Sequence, residues 1–290
     1  MSCQTPEMEK PLRVLVVTGG HPFESEPFFE VFDALPGVEW THAPQPEARV
    51  HFRPDGVGEF DTIVCYDMPG ITFTGGDPPA RFEEPSAQLV ADYGALLDRG
   101  QGVVYLHHAI ASWPAWPDFA EIVGGRFHYQ SASLRGVSFP DSGYRFGVRH
   151  RIEVVETGHP ICAGLEDGFE LTDELYLCPV FEDDVVPLMR SSAPFVDAHF
   201  YSADQAIRGR MHSREGWHHP PGSDLVAWVK AVGRSPIAYL QFGDGPDTYA
   251  DHRFRQVLAN AIAWASSPAA RQWARAAAVP VPTGGGPRPE

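Results

Sequence analysis

The stretch that decides the fold is Gln101-Gly102-Val103-Val104-Tyr105-Leu106-His107-His108-Ala109-Ile110-Ala111-Ser112. An apolar run ends at Leu106 and is followed by two histidines and small residues, a pattern typical of a buried strand that enters a sharp turn before a helix. In many α/β enzymes such a turn carries a Ser or Cys nucleophile. This turn carries imidazoles, so we do not expect acyl transfer by a thiol or a hydroxyl here.

Strand patterns alternate with helical patterns around this turn. The apolar and β-branched runs 12–18 and 61–67 predict buried strands, and residues 28–35 and 85–99 have helical spacing. A further helix is expected over residues 109–123. This β-α-β-α-β order predicts a doubly wound, mostly parallel sheet with helices on both faces.

The later part of the chain is less regular. Residues 127–149 lack a clear period, residues 169–176 fit an extended or a short helical segment, and residues 193–224 form a long polar insertion. The runs 225–230 and 236–242 predict a hairpin that resumes the sheet.

A closing helix is expected over residues 252–265. The predicted organisation is therefore one domain over residues 12–266, between an N-terminal tail of residues 1–11 and a partly disordered C-terminal tail of residues 267–290.

The amino-acid composition indicates which classes of binding partner are unfavourable. The chain has 290 residues and a formal net charge of -16, which disfavours nucleic acids and anionic membranes because both attract clustered basic residues. No apolar run approaches the roughly 18 residues that span a membrane, and the N-terminus lacks a secretion-signal pattern. We therefore expect a cytoplasmic protein with a small-molecule substrate; homo-oligomer formation stays open.

Four segments carry a family resemblance. They are Thr18 to His21, Gly102 to Ala109, Gly158 to Leu165 continued by Phe169 and Thr172 to Tyr176, and Pro236 to Gly243 continued by Asn260 and Trp264. In this order they resemble the trehalose-utilisation (ThuA-like) family of the class I glutamine amidotransferase-like superfamily. The resemblance spans residues 12–266. It implies a flavodoxin-like fold and a role in disaccharide or trehalose-type metabolism, with a sugar or keto-sugar derivative as substrate.

The chain departs from this family pattern at three points. Gly243 is followed by Asp244, where the family usually has Gly-His. His21 is followed by Pro22, where the family often has His-Asp. His108 stands where the elbow usually has Ser or Thr.

The candidate catalytic residues are His107, Glu174 and His21. Ligands of open parallel sheets bind beyond the carboxyl ends of the strands, and His21 and His107 each follow such a strand, so both should reach one rim. An imidazole there can serve as general acid, general base or metal ligand. With the resemblance, Glu174 is expected to orient an imidazole, to ligate a metal with it, or to act as the second acid or base.

Further side chains are candidates for substrate binding. Tyr176 could hydrogen-bond sugar hydroxyls, and the face of Trp113 could stack on a sugar ring. His108, His128 and His159 complete the set. The alternatives are core packing for Trp113 and His108 and a turn position for His159.

Two functions remain open from the sequence. The first is an enzyme, an isomerase, lyase or hydrolase without glutaminase activity, that uses His107 and Glu174 for acid-base chemistry on a carbohydrate. The second is a non-catalytic carbohydrate-binding protein on an amidotransferase-like scaffold. No cofactor is certain; if a divalent zinc, manganese or iron ion binds, its expected ligands are His21, His107 and Glu174.

Overall fold

The computed structural model describes residues 10–53, 55–56, 58–277 and 279–282. Within these ranges the strands are β1 Leu12–Gly19, β2 Val38–Pro44, β3 Thr62–Asp67, β4 Ile71–Phe73, β5 Ala80–Phe82, β6 Gly102–Leu106, β7 Ala132–Leu134, β8 Val137–Phe139, β9 Gly143–Val154, β10 Phe169–Leu177, β11 Val186–Ser191, β12 Tyr201–Ser202, β13 Leu225–Val232 and β14 Ser235–Leu240. The helices are α1 Ser25–Asp33, α2 Ala87–Asp98, α3 Pro117–Val123, α4 Ala203–Ile207, α5 Pro246–Ala250, α6 His252–Ser266 and α7 Pro268–Ala277.

One large sheet organises the chain. Its strand order is β10-β9-β11-β13-β14-β6-β3-β1-β2, and β12 pairs with β9. Strands β2, β1, β3, β6 and β14 are parallel to one another, whereas β13, β11, β9 and β10 extend the sheet with antiparallel pairs. The flavodoxin-like, doubly wound fold predicted from the sequence is confirmed, and the predicted hairpin corresponds to β13 and β14.

Helices cover both faces of the parallel strands. Val14 and Val16 pack in one core cluster with residues of α1 and α6, whereas Leu15 and Val17 pack in a second cluster with residues of α2 and α3. Because successive side chains of a strand point to opposite faces, a nearly continuous apolar strand such as β1 can serve both cores.

Short-range sequence signals set the helix ends. The Ser86 hydroxyl accepts a hydrogen bond from the Leu89 N–H at 3.2 Å and caps the start of α2. Pro117 occupies the first turn of α3, where its missing N–H is not needed, and Gly124 ends that helix with a φ of +96°.

The predicted helix over residues 109–123 is wrong in its first half. The structure has a short 3-10 turn over His107–Ala111, then a link with a turn that the Trp116 N–H closes on the Trp113 carbonyl at 2.9 Å, and then α3. Trp113 in the link has a φ of +51°, which is incompatible with a right-handed helix. Pro114 and Pro117 also disfavour a helical conformation at the residues before them.

Two further segments differ from the sequence expectation. Residues 127–149, which show no clear period, contain the β7–β8 hairpin and the first half of β9, and residues 169–176 lie in strand β10. The predicted C-terminal tail includes helix α7, and its residues 283–290 lie outside the described part of the chain. Among the described residues, none of the helices combines the length and the hydrophobicity that a membrane-spanning helix needs.

Close contact between β6 and α6 constrains Gly102. A Cβ atom at Gly102 would lie 2.2 Å from the carbonyl oxygen of Ala265. We expect Gly102→Ala to lower the free energy of unfolding by about 1–3 kcal/mol, as overpacking does. The control is Gly76→Ala, where the new Cβ atom meets only Thr74 Oγ1 at 3.9 Å. Denaturant unfolding measures both, and equal stability of the two variants would contradict this account.

Candidate functional site

The turn after β6 holds His107 in an unusual backbone conformation. His107 has a φ of +52° and is 1% exposed. Left-handed backbone is uncommon outside glycine and costs energy for a side-chain-bearing residue. The Tyr239 hydroxyl donates to the His107 carbonyl oxygen at 3.1 Å and helps hold the turn. The elbow predicted from the sequence therefore exists and presents an imidazole.

Both ring nitrogens of His107 have defined neighbours. Nδ1 lies 2.7 Å from the carbonyl oxygen of Gln241, and because a carbonyl can only accept, Nδ1 carries a proton and donates it. Nε2 lies 2.7 Å from the Tyr176 hydroxyl, 3.2 Å from Glu174 Oε2 and 3.5 Å from Asp244 Oδ1. The structure thus brings together one imidazole, two carboxylates and one phenol.

Two elements supply the partners of His107. Glu174 and Tyr176 both come from β10, two residues apart, a spacing that places side chains on the same face of a strand. Asp244 follows β14, the strand that pairs with β6 in parallel. Neighbouring parallel strands end at the same edge of the sheet, so residues that follow β6 and β14 meet there.

A buried carboxylate anchors this assembly without contacting His107. Asp173 accepts hydrogen bonds from the backbone N–H groups of Gly243 at 2.8 Å and Asp244 at 3.0 Å. It also accepts from the N–H of Glu174 at 2.9 Å. Asp173 therefore ties the loop after β14 to β10 and fixes the backbone that carries both carboxylates of the site.

The pKa values of the central pair are displaced. Burial by itself lowers the pKa of His107, but hydrogen bonds to Asp244 and Glu174 and the charges of Glu174 and Asp173 outweigh it and raise that pKa to about 10. Burial raises the pKa of Glu174 to about 7 against the opposing effect of His107. The cluster can therefore hold or release a proton near neutral pH, a property of acid-base sites.

His21 and His108 form a stacked pair beside the cluster. Their ring centroids are 4.6 Å apart, and burial lowers the pKa of both rings. His108 Nε2 donates to the Tyr66 carbonyl oxygen at 3.2 Å, so this ring packs beneath the elbow. His21 reaches the predicted rim, but Asp244 takes the place beside His107 and Glu174 that the sequence analysis assigns to His21.

The remaining substrate-binding candidates are dispersed. Tyr176 is part of the cluster, whereas Trp113 is buried beside Gly70 with the Arg49 guanidinium 5.3 Å from its ring centroid. His128 is buried in a separate region, where burial lowers its pKa to about 3. None of the described contacts of His128 is with His107.

His159 lies at a different surface. It caps the short turn Pro160–Cys162 through Nδ1, which accepts the Ile161 N–H at 3.2 Å. Its ring packs against Trp264, and together with Trp273 it lines a groove of about 550 Å³. The structure therefore does not bring His159 to the His107 cluster, and its described contacts match the turn position that the sequence leaves as an alternative.

Asp244 and Gln241 are not among the site residues predicted from the sequence. Asp244 was detectable as the departure from Gly-His directly after a strand that ends at the rim. Its side chain is 31% exposed, so Asp244 is the member of the cluster that faces solvent. Gln241 offers no such signal, because it acts through its backbone carbonyl and through Oε1, which accepts the Tyr176 N–H at 3.1 Å.

The donor set also suits a divalent cation. His107 Nε2, Glu174 and Asp244 offer ligand atoms within 4.8 Å of one another. Metal-binding histidines commonly donate their second ring N–H to a carbonyl, as His107 does to Gln241. Two ligands about 2.1 Å from a tetrahedral zinc ion are about 3.4 Å apart, close to the observed separations from Nε2 of 3.2 and 3.5 Å.

Comparison with known proteins identifies the family of this chain and solved structures with a similar fold. A family profile described as trehalose utilisation (ThuA) matches residues 13–265. A ThuA-like protein from Parabacteroides merdae shares 15% identity and a TM-score of 0.59, covering 89% of this chain and 91% of its own. A ThuA-like protein from Bacteroides uniformis shares 16% identity and a TM-score of 0.58, covering 91% of this chain and 95% of its own.

A third solved structure has the same fold. A protein of Salmonella typhimurium that is described as cytoplasmic shares 12% identity with a TM-score of 0.55, and the match covers 88% of this chain and 99% of that one. No curated protein matches this chain in sequence. At these identities the structural likeness establishes the fold alone.

Removal of one carboxylate tests the electrostatics of the cluster. We expect Glu174→Gln to lower the pKa of His107, because a buried anion that stabilises the imidazolium is lost. The measurement is an NMR pH titration of the ring, assigned with His107→Gln. The control is Glu170→Gln, an exposed carboxylate on the same strand, which should leave the titration unchanged. An unchanged or raised pKa in Glu174→Gln would show that the carboxylate does not control the imidazole.

Proposed function

We propose that this chain, which belongs to the trehalose-utilisation (ThuA) family, is an enzyme that acts on a sugar or keto-sugar derivative by proton transfer at His107 and Glu174. The observation that carries the proposal is the neighbourhood of His107 Nε2, where Glu174 lies at 3.2 Å and Tyr176 at 2.7 Å. The family description, trehalose utilisation, supports a carbohydrate as the substrate class.

The two groups suit complementary roles. With a pKa of about 7, the Glu174 carboxylate can take a proton from a carbon beside a carbonyl at neutral pH. His107, whose pKa is about 10, is then charged and can give its Nε2 proton to the carbonyl oxygen. This step yields a neutral enediol. For an isomerisation, Glu174 then gives its proton to the former carbonyl carbon while Nε2 of His107 takes the proton of the other enediol hydroxyl, which becomes the new carbonyl. For an elimination, Nε2 takes the enediol proton back, the carbonyl re-forms, and the β-substituent leaves with the proton that Glu174 holds.

Acyl transfer through a thiol is not part of this proposal. The superfamily position for a nucleophile is filled by His107, and Cys65 is buried on a different strand, where burial raises the pKa of its thiol well above the ordinary value. We therefore propose an isomerase, lyase or hydrolase without glutaminase activity.

The surroundings are consistent with a small polar ligand. Tyr176 packs against Phe127 with ring centroids 4.8 Å apart, so an aromatic wall adjoins the proton-transfer pair, and sugar C–H faces pack well on such rings. The net charge of -16 argues against nucleic acid or an anionic membrane as partner. We place the protein in the cytoplasm, as the Salmonella relative is described, and leave homo-oligomer formation open.

Isotope exchange tests the enzymatic proposal. Oxidised and unoxidised disaccharides are incubated with the protein in D₂O, and NMR and mass spectrometry follow deuterium uptake beside the carbonyl and product formation. We expect His107→Gln and Glu174→Gln each to slow the reaction by about 100-fold or more. The matched controls are His252→Gln and Glu170→Gln, both exposed. Full turnover by His107→Gln would refute the proposal.

The same experiment addresses a non-catalytic carbohydrate-binding protein. Saturable binding of a disaccharide, measured by calorimetry, without turnover or deuterium uptake would support that alternative. In that case Glu174→Gln would change the affinity for the disaccharide, and neither the variant nor the unaltered chain would show turnover.

A second candidate function is metal-assisted chemistry at the same cluster. It is favoured by the three ligand atoms of His107, Glu174 and Asp244 and by the carbonyl that holds Nδ1 of His107. A divalent zinc, manganese or iron ion there would polarise a substrate carbonyl. His107 would then be a ligand and would not transfer the proton.

Metal titration separates the two candidates. If the second is right, chelator-treated protein should bind Zn²⁺ or Mn²⁺ at one site in calorimetry, and Asp244→Asn should weaken that binding by at least about tenfold. The control Asp247→Asn removes an exposed carboxylate three residues away and should leave it unchanged. Absence of stoichiometric binding, or equal affinity in both variants, would remove the metal candidate and leave acid-base chemistry.

A further inference from the structure

A second polar set lies on the strand next to the elbow. Strands β3 and β6 are parallel neighbours, and Cys65 pairs with Tyr105. Two residues further along each strand come Asp67 and His107. Neighbouring strands lie about 4.8 Å apart, so the end of β3 adjoins the His107 turn at the same carboxyl edge of the sheet.

A relay of side chains at this edge orients Arg49. The Gln45 amide donates to Asp67 Oδ2 at 2.8 Å, and its Oε1 accepts from Arg49 Nε at 3.4 Å. The backbone N–H of Gln45 is bound to the Thr18 carbonyl at 2.8 Å, which ties the relay to the end of β1. The guanidinium therefore has a defined direction although Arg49 is only half-buried.

The indole ring of Trp113 packs against the Arg49 guanidinium. The charged group lies 5.3 Å from the ring centroid, within the range of a cation–π contact. The indole is itself held, because its backbone N–H donates to the Pro69 carbonyl at 2.8 Å and its ring packs against Gly70. Trp113 lies six residues after His107, in the link between the His107 turn and α3.

Arg49 makes no direct ion pair with a carboxylate in the part of the chain that the structure describes. Its hydrogen bond there is the one from Nε to Gln45, and neither terminal nitrogen donates to a protein group. The chain has 38 acidic and 22 basic residues, yet the terminal nitrogens of this arginine are not taken up by a carboxylate among the described residues. Asp67 is bound by the Gln45 amide and not by the guanidinium. Burial raises the pKa of its carboxyl to about 7 against the opposing effects of Gln45 and Arg49.

We propose that Arg49, supported by Trp113, binds a carboxylate or phosphate group on the sugar derivative that reacts at His107. The inference rests on the proposed function and narrows its substrate class to anionic sugars. The planar guanidinium presents two terminal nitrogens that match the paired oxygens of a carboxylate or phosphate. Arg49 determines specificity, and the His107 cluster performs the proton transfer.

Calorimetric binding of simple probes tests the subsite without turnover. The probes are glucose, glucuronate and glucose 6-phosphate, with inorganic phosphate as an anion without a sugar. We expect the chain to bind glucuronate or glucose 6-phosphate at least about tenfold more tightly than glucose. The probe that binds more tightly identifies the anionic group as a carboxylate or a phosphate. Equal affinity for glucose and both anionic sugars would overturn the proposal.

Variants assign the effect to this arginine. Arg49→Gln should abolish the preference for the anionic probe, and Arg49→Lys should retain part of it because a lysine keeps the charge but loses the paired geometry. Arg81→Gln, on the exposed face of β5, is the matched control and should bind like the unaltered chain. Thermal melting verifies that each variant is folded. An unchanged preference in folded Arg49→Gln would overturn the proposal.

One further variant separates this subsite from the proposed function. His107→Gln leaves Arg49 intact and should keep the anionic preference while losing turnover. If Arg49 controls anion binding but no substrate depends on His107 for turnover, the subsite stands and the proposed function fails. If turnover depends on His107 but Arg49→Gln leaves anion binding unchanged, the proposed subsite is wrong and the proposed function stands.

Discussion

The hydrogen bond from His107 Nδ1 to the Gln241 carbonyl is the interaction on which the rest of the site depends. It fixes Nδ1 as a proton donor, sets the orientation of the ring and thereby directs Nε2 at Glu174, Tyr176 and Asp244. The bond is available because β14 and β6 pair in parallel with Leu240 opposite Leu106, so the residues that follow them adjoin. A shift of register by one residue would remove both the bond and the cluster.

The cluster buries carboxylates at a cost in folding free energy. Glu174 and Asp173 are buried carboxylates, and isolated burial of an ionised carboxylate is costly. Backbone N–H groups satisfy Asp173, whereas Glu174 relies on His107, whose own backbone is held at positive φ. The cluster combines displaced pKa values with backbone strain at His107. This combination is typical of functional sites and is not needed in a core that serves only folding.

Sequence reasoning succeeded where a pattern is local and strong. The continuous apolar runs of β1, β3 and β6 and the helical face of α2 are found where periodicity places them. It failed after the elbow, where Trp113 adopts positive φ to pack against Gly70 and interrupts the expected helix. It also left residues 127–149 unassigned. The β7–β8 hairpin there has only three residues in each strand, and β9 is defined by pairing with the distant strands β10 and β11.

Local chemistry was sufficient to recognise an imidazole at the strand-to-turn elbow, and the family motif pointed to Glu174 as its partner. The contact between them, the exclusion of His159 and the entry of Asp244 in place of His21 required the folded chain. The physical reason is that strand order and register bring these residues together across 67 to 137 positions, a distance over which no spacing rule in the sequence operates.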